Sequence, residues 1–349
     1  MINNEGKNVR TLKSKRYKII FHIASRLVFF ILTVWIGLTL AFLVSRASPV
    51  DPSTMLISRL MSMGGYLRPE EILALKQQIL ELYGLDKPVY MQYLSFIKGV
   101  ITGNLGPSFS FFPTPVIELI YKSMSWTILL LGFSTVLSWI IGNVAGVLAA
   151  VFSRSKISKM LEWISMSLYP VPYVIFALIL FLFFSLVIPL AGGVGGAGMA
   201  MPSLSLTYII GVIKRLSVPS LSIIVLSSAS WFLSMKALAL SIKKEDFVNY
   251  AIIRGLSQKT VTKYVMRNSL LPQITSLALS LGYIFNGALV TEYIFAYPGL
   301  GRLLYNAIVG SDYNLMLGIL SYSIIGVASA AFILDLIYPL IDPRIRYGG

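Results

Sequence analysis

Apolar residues in this chain gather in long uninterrupted runs separated by polar islands. A helix crossing the ~30 Å hydrocarbon core of a bilayer needs roughly 20 consecutive apolar residues. Six runs fit that requirement: Ile19–Val44, Ser125–Phe152, Trp163–Leu190, Leu216–Met235, Pro272–Ile294 and Leu315–Ile341. Each predicts a membrane-spanning helix. The run Ser203–Ile213 is about half the required length and stops at Lys214-Arg215, which predicts an interfacial or packed extension. The expected fold is therefore an all-α integral membrane protein with six transmembrane helices. A basic tail (1–18) precedes the first helix (19–45), an insert occupies 46–124, and the core helices fill 125–349.

Two polar islands carry structure signals of their own. The insert Arg46–Met124 is too long for a simple connector. Within it, Arg68-Pro69-Glu70-Glu71 predicts a helix start, with Pro at the first helical position and acids in the first turn. Ile72, Leu75, Ile79 and Leu82 then recur at helical spacing until Gly84 offers a stop. Gly103-Asn104-Leu105-Gly106-Pro107 is turn chemistry, so the insert reads as a small folded domain. The second island, Lys236–Arg267, interleaves seven basic and two acidic residues with Phe247, Val248, Tyr250, Ile252, Ile253, Val261, Tyr264 and Val265. That pattern suits short helices along a membrane face, stems buried and charges wet. Gly255 divides two such stretches, as a helix stop or a point of close approach.

Composition strengthens the membrane assignment. At 56% hydrophobic and 12% charged residues, a 349-residue chain has too little polar surface to cover a soluble globule. Its net charge of +15 raises the question of nucleic acid, but the placement of the charge answers it. Of the 29 Lys/Arg, 19 fall in residues 1–26, 153–162, 236–267 and 335–349, the two termini and alternate loops of a six-span chain. The positive-inside rule puts these segments in the cytoplasm and the insert outside, with the lipid bilayer and no nucleic acid as surroundings. The basic start and apolar run resemble a secretory signal, but about 26 apolar residues far exceed a ~7–15-residue h-region, so retention as the first span is expected. The absence of cysteine excludes a disulfide framework, a thiolate metal site and a cysteine nucleophile.

Catalytic motifs are not found. Gly193-Val194-Gly195-Gly196-Ala197-Gly198 fits G-x-G-x-x-G, but it follows a membrane run and has Lys214-Arg215 where an acid belongs, so it reads as a flexible loop. No G-x-x-x-x-G-K-[ST] occurs, so any ATP driving the protein is bound by another subunit. The lone His22 reads as an interfacial side chain, and the scattered serines lack His–Asp partners. Lys236, Glu292 and Asp335 border spans, where snorkelling or pairing lowers the cost of charge; this reading is preferred to a proton relay. No catalytic or metal site is expected, and no substrate-binding residue can be assigned.

Glu245-Asp246-Phe247-Val248-Asn249-Tyr250-Ala251-Ile252-Ile253-Arg254-Gly255-Leu256-Ser257, followed by Arg267-Asn268-Ser269-Leu270-Leu271-Pro272, closely resembles the cytoplasmic coupling loop of the dipeptide/oligopeptide permease family of binding-protein-dependent ABC importers. Further matching segments run in order along most of the chain. They are Gly84-Leu85-Asp86-Lys87-Pro88 with Gln92-Tyr93, Gly103-Asn104-Leu105-Gly106, Glu292-Tyr293-Ile294-Phe295 with Pro298-Gly299-Leu300-Gly301, and Asp342-Pro343-Arg344-Ile345-Arg346.

The resemblance implies a type I ABC importer permease fold with an extracytoplasmic insert between helices 1 and 2. It further implies a pore subunit in the plasma (inner) membrane that works by alternating access. The implied partners are a second homologous permease, two ABC ATPases that bind ATP and Mg, and an extracytoplasmic solute-binding protein. The coupling loop, 236–271, would dock on an ATPase through Glu245, Asp246, Asn249, Tyr250, Ala251, Arg254, Gly255 and Leu256. The EAA consensus of such loops aligns at Asn249-Tyr250-Ala251, so its Glu and first Ala are absent. The interval from Gly255 to Leu271-Pro272 also exceeds that of the general motif and matches the peptide-family variant. Di- or oligopeptides are the implied cargo, with oligosaccharides or nickel complexes as the alternative. A stand-alone secondary transporter would call for intramembrane charges and an inverted repeat, and a membrane enzyme for convergent acids, His or Ser; neither pattern is present.

Overall fold

The computed structural model describes residues 3–47, 57, 61, 68–82, 84–187, 205–286 and 288–341. Most of the first part of the expected insert 46–124, the Gly193–Gly198 loop, the start of the Ser203–Ile213 run and the Asp342–Arg346 tail lie outside these residues, as does the side chain of His22. The described chain is helical, without a strand. The helices are α1 (Asn3–Arg46), α2 (Pro69–Leu82), α3 (Val89–Thr102), α4 (Val116–Val151), α5 (Lys156–Leu168), α6 (Tyr173–Leu186), α7 (Leu206–Ile242), α8 (Asp246–Ile253), α9 (Gln258–Gly282), α10 (Leu289–Ile294), α11 (Leu300–Val309) and α12 (Tyr313–Ile341). A 3₁₀ turn, Tyr283–Asn286, separates α9 from α10.

Among the described residues four helices are long and apolar enough to cross a membrane: α1 from Ile23, α4, α7 and α12 up to Ile337. Two expected spans take a different form. Trp163–Leu190 is not one straight helix; α5 and α6 meet at a 104° bend. Pro170 and Pro172 sit in the connection, and neither can donate the backbone hydrogen bond that would carry the helix through. Pro272–Ile294 is covered by the second half of α9, the 3₁₀ turn and α10, with Pro272 inside α9. The described part of the Ser203–Ile213 run is the first turns of α7, continuous through Lys214, Arg215 and Pro219, so it extends that helix. Lys and Arg are good helix formers, so a charged pair ends an apolar run without ending a helix.

The chain divides into two compact units, 1–117 with 310–349, and 118–309. In the first, α1 packs along α12: Phe30 meets Phe332 at 5.4 Å between ring centroids, and Arg26 pairs with Asp335 at 3.1 Å. Phe42 of α1 holds α3 through Tyr93 and Phe96, at 5.3 and 5.6 Å. The predicted insert helix is α2. Its stop is the expected one, with Gly84 at φ +62° and the Leu85 amide donating to the Leu80 carbonyl. Ile57, Ile79, Phe109 and Tyr313 form the core beneath it. Asp312 begins α12 as a buried cap, accepting from the amides of Leu315 and Ser110 and the hydroxyl of Ser108.

In the second unit, α7 is the central element, packed by α5, α6 and α9. It also touches α4 backbone to backbone. A Cβ on Gly142 would lie 2.4 Å from the Trp231 Cβ, and one on Gly146 would lie 2.7 Å from the Phe232 carbonyl oxygen. Small residues four apart allow membrane helices this approach, where dispersion contacts replace a hydrophobic driving force.

Candidate functional site

The polar island between α7 and α9 folds as α8 and its two connections. Val147, Ala150 and Val151 of α4, Met235 and Ala239 of α7, Val248 of α8, and Val261 and Val265 of α9 form one buried cluster. Val248 and Ala251 are the buried face of α8, at 0% and 3% exposure. The opposite face lies open: Phe247, Tyr250, Ile252 and Ile253 are all exposed, Ile253 to 82%. An eight-residue helix is marginal in isolation. Its position is therefore set by the cluster beneath it and by its two ends.

Those ends are well defined. Glu245 is the N-cap with extended backbone, although its side chain makes no capping bond, and Asp246 places a negative charge in the first turn, where the helix dipole favours it. Asn249 Nδ2 donates to the Lys244 carbonyl at 3.3 Å, tying the helix to its entry. At the exit the Gly255 amide donates to Ile252 O at 2.9 Å and the Leu256 amide to Ala251 O at 3.1 Å. This paired pattern closes a helix around a left-handed residue, and Gly255 is at φ +74°. A Cβ on Gly255 would meet nothing within 4 Å. Gly255 is therefore a helix stop, and no close approach to it is made among the described residues. Arg254 lies over the Tyr250 ring at 4.6 Å, a cation–π contact that rigidifies the open face. Ser257 then caps α9 by accepting from the Thr260 amide.

All eight residues singled out from the sequence thus fall within one turn-helix-turn: Glu245, Asp246, Asn249, Tyr250, Arg254, Gly255 and Leu256 are exposed, and Ala251 points into the core. Two contacts beneath it were not anticipated. Lys243 Nζ donates to the carbonyls of Ala150 and Val151 at 3.4 and 3.3 Å, a cation at the C-terminus of α4. Lys236, 8% exposed, pairs with Glu162 of α5 at 2.6 Å. A basic residue at each of these positions was visible in the sequence; its partner, 74 to 93 residues earlier, was not.

Glu292 occupies a second organised site. It is fully buried, so snorkelling does not explain it. Its carboxylate accepts from Thr127 Oγ1 at 2.6 Å and from the amides of Gly301 and Arg302 at 2.6 and 3.1 Å, while Thr127 Oγ1 accepts from the Leu300 amide at 2.8 Å. An anion thus sits on the N-terminus of α11. A Cβ on Gly299 would come within 2.2 Å of the carboxylate. The Pro298-Gly299-Leu300-Gly301 segment is therefore the cradle of Glu292, and their joint appearance in the sequence has a geometric cause. Among the described residues no group of three or more His, Asp or Glu side chains is placed to hold a metal ion.

Residues 142–347 match the family described as binding-protein-dependent transport system inner membrane component. Curated proteins align over nearly the whole chain. The oligopeptide transport system permease protein AppB of Bacillus subtilis is 30% identical over 316 residues, covering 90% of this chain and 96% of the relative. OppB proteins of Haemophilus influenzae and Escherichia coli K12, described in the same words, are 29% and 26% identical, again over 90% of this chain and 95% of theirs.

Proposed function

Because the chain belongs to the family of binding-protein-dependent transport system inner membrane components, we propose that it is one of two pore subunits of an ATP-driven peptide importer. The observation that carries this reading is α8: a short helix between two membrane helices, seated by Val248 and Ala251 on a core that joins α4, α7 and α9, and open on its other face. A push on that face is transmitted through the buried cluster to three long helices as a rigid body. Two ATPases, binding ATP and Mg, would supply the push, and an extracytoplasmic binding protein would deliver the solute. Each six-span subunit would then contribute α1, α4, the bent α5–α6 pair, α7, the α9–α10 unit and α12. Both termini and α8 face the cytoplasm, and the insert faces outward, as the distribution of Lys/Arg favours. Di- or oligopeptides are the cargo that the relatives' names favour over oligosaccharides or nickel complexes.

Purification of the chain from its native membrane tests this directly. The reading expects co-purified ATPase subunits and ATP hydrolysis stimulated by a peptide-loaded binding protein. Isolation of the chain alone, with uptake driven by an ion gradient and indifferent to ATP, would establish the secondary-transporter alternative instead.

A further inference from the structure

One face of α5 is left open in the second unit. The first turn of α5 is seated on the last turn of α4, where Ser158 Oγ donates to the Ala149 carbonyl at 3.3 Å. Ser158 and Ser165 mark the buried side, and Glu162, the only acid of the helix, pairs with Lys236 of α7. The opposite side reads Lys156, Met160, Trp163 and Ser167, an i, i+4, i+7, i+11 row exposed along its whole length. Trp163 is 74% exposed and Met160 55%, with Ile157 beside them at 67%. Arg154, Lys156 and Lys159 gather at the α4 end of this row, exposed and without an acidic partner among the described residues. Lys243 already meets the last carbonyls of α4, so these three cations are not engaged by that helix end.

The order of groups along the row matters as much as their exposure. Ser158 lies at the level of Ala149, and Glu162 one turn later reaches Lys236, which precedes Lys243 by two turns of α7. α5 therefore runs away from the end of α4, with its cations at that end and Trp163 about 10 Å beyond Lys156. A leaflet presents phosphate, then the glycerol region that indole rings favour, then acyl chain. Lys stems lie on apolar surface while their charged heads reach the phosphates. We propose that this face of α5 binds an anionic phospholipid, its phosphate at Lys156 and Lys159 with Arg154 adding charge, and its glycerol and upper chains against Trp163 and Met160. An acidic protein surface would match the cations and leave the indole and its apolar neighbours wet. A choline headgroup offsets its own phosphate charge, so the selection is for a net negative headgroup such as phosphatidylglycerol. Val151 and Val248 share one buried cluster, which places this lipid in the leaflet on the α8 side. The proposal requires only that the chain lies in a bilayer, and it stands whether or not α8 meets an ATPase.

Bromine on a lipid chain quenches indole fluorescence on contact. The test therefore compares the full chain in phosphatidylcholine nanodiscs that contain an equal fraction of chain-brominated phosphatidylglycerol or chain-brominated phosphatidylcholine. The part of the quenching that Trp163→Phe removes reports the α5 face. That part should show at least about a fivefold preference for the brominated phosphatidylglycerol, the effect of a single basic side chain near an anionic headgroup. Lys156→Gln with Lys159→Gln alters two exposed side chains and should bring the two lipids to parity. Lys259→Gln with Lys263→Gln removes the same charge from exposed positions on α9 and should leave the preference in place. Equal quenching of the wild type by the two lipids overturns the proposal. So does a preference that survives the α5 pair of substitutions or is lost equally with the α9 pair. If Trp163→Phe removes no quenching, protein covers the face and lipid is not its occupant.

Discussion

At position 255 the backbone is left-handed and the surroundings are empty, so substitution acts through conformation. An L side chain in that region costs roughly 1–2 kcal/mol, less for Asn, which tolerates it. Gly255→Asn should therefore retain most ATP-driven uptake and Gly255→Ala lose part of it. Gly255→Arg, adding bulk and charge to the open face, should abolish uptake while the protein remains in the membrane. Uptake assays normalised to membrane content decide the order, and normal uptake by the Arg variant would remove α8 from the mechanism. At Thr127 the hydroxyl serves Glu292 and the Leu300 amide together. Thr127→Val leaves the Leu300 amide and one oxygen of Glu292 without a partner in a buried site and should destabilise the purified protein by about 1–3 kcal/mol, read as a lower thermal midpoint. Gly255 as a stop was legible because a glycine followed an apolar stretch. The role of Glu292 was not, because its donors lie 165 residues earlier and 9 to 10 residues later.

Among the elements, α2 was legible because its Pro, acids, apolar spacing and terminal glycine all gave the same boundaries. The α5–α6 bend was missed because hydrophobic run length is blind to Pro170 and Pro172, which break the hydrogen-bond ladder without lowering apolarity. The α5–α7 pairing was invisible for a different reason: one salt bridge, Lys236 to Glu162, closes a contact between helices far apart in sequence. Lys236 is buried and Glu162 about one-third exposed, so removing the acid strands a cation in the core. Glu162→Gln should destabilise the purified protein more than the double change Glu162→Gln with Lys236→Met. A double-mutant cycle should return a coupling of about 0.5–3 kcal/mol. Additive single effects would show that the pair carries no mutual stabilisation.

For the whole molecule, the apolar runs and the one-sided placement of Lys/Arg established a multi-pass membrane protein from the sequence alone, because the bilayer imposes a length and a charge rule on any chain that crosses it. The division into two units was not legible, since it joins the first 117 residues to the last 40 through the α1–α12 contact. The segment proposed to couple to an ATPase was legible as short helical stretches divided at Gly255, and the structure added which side of α8 is buried. Ile253, the most exposed large residue on α8, is the place to ask what lies against that surface. Because this chain has no cysteine, Ile253→Cys gives it a single attachment point for a benzophenone maleimide, coupled to the purified chain before the importer is reassembled. Illumination should crosslink the chain to an ATPase subunit, with a yield that changes when ATP binds. Crosslinking to the extracytoplasmic binding protein, or to lipid alone, would contradict the account.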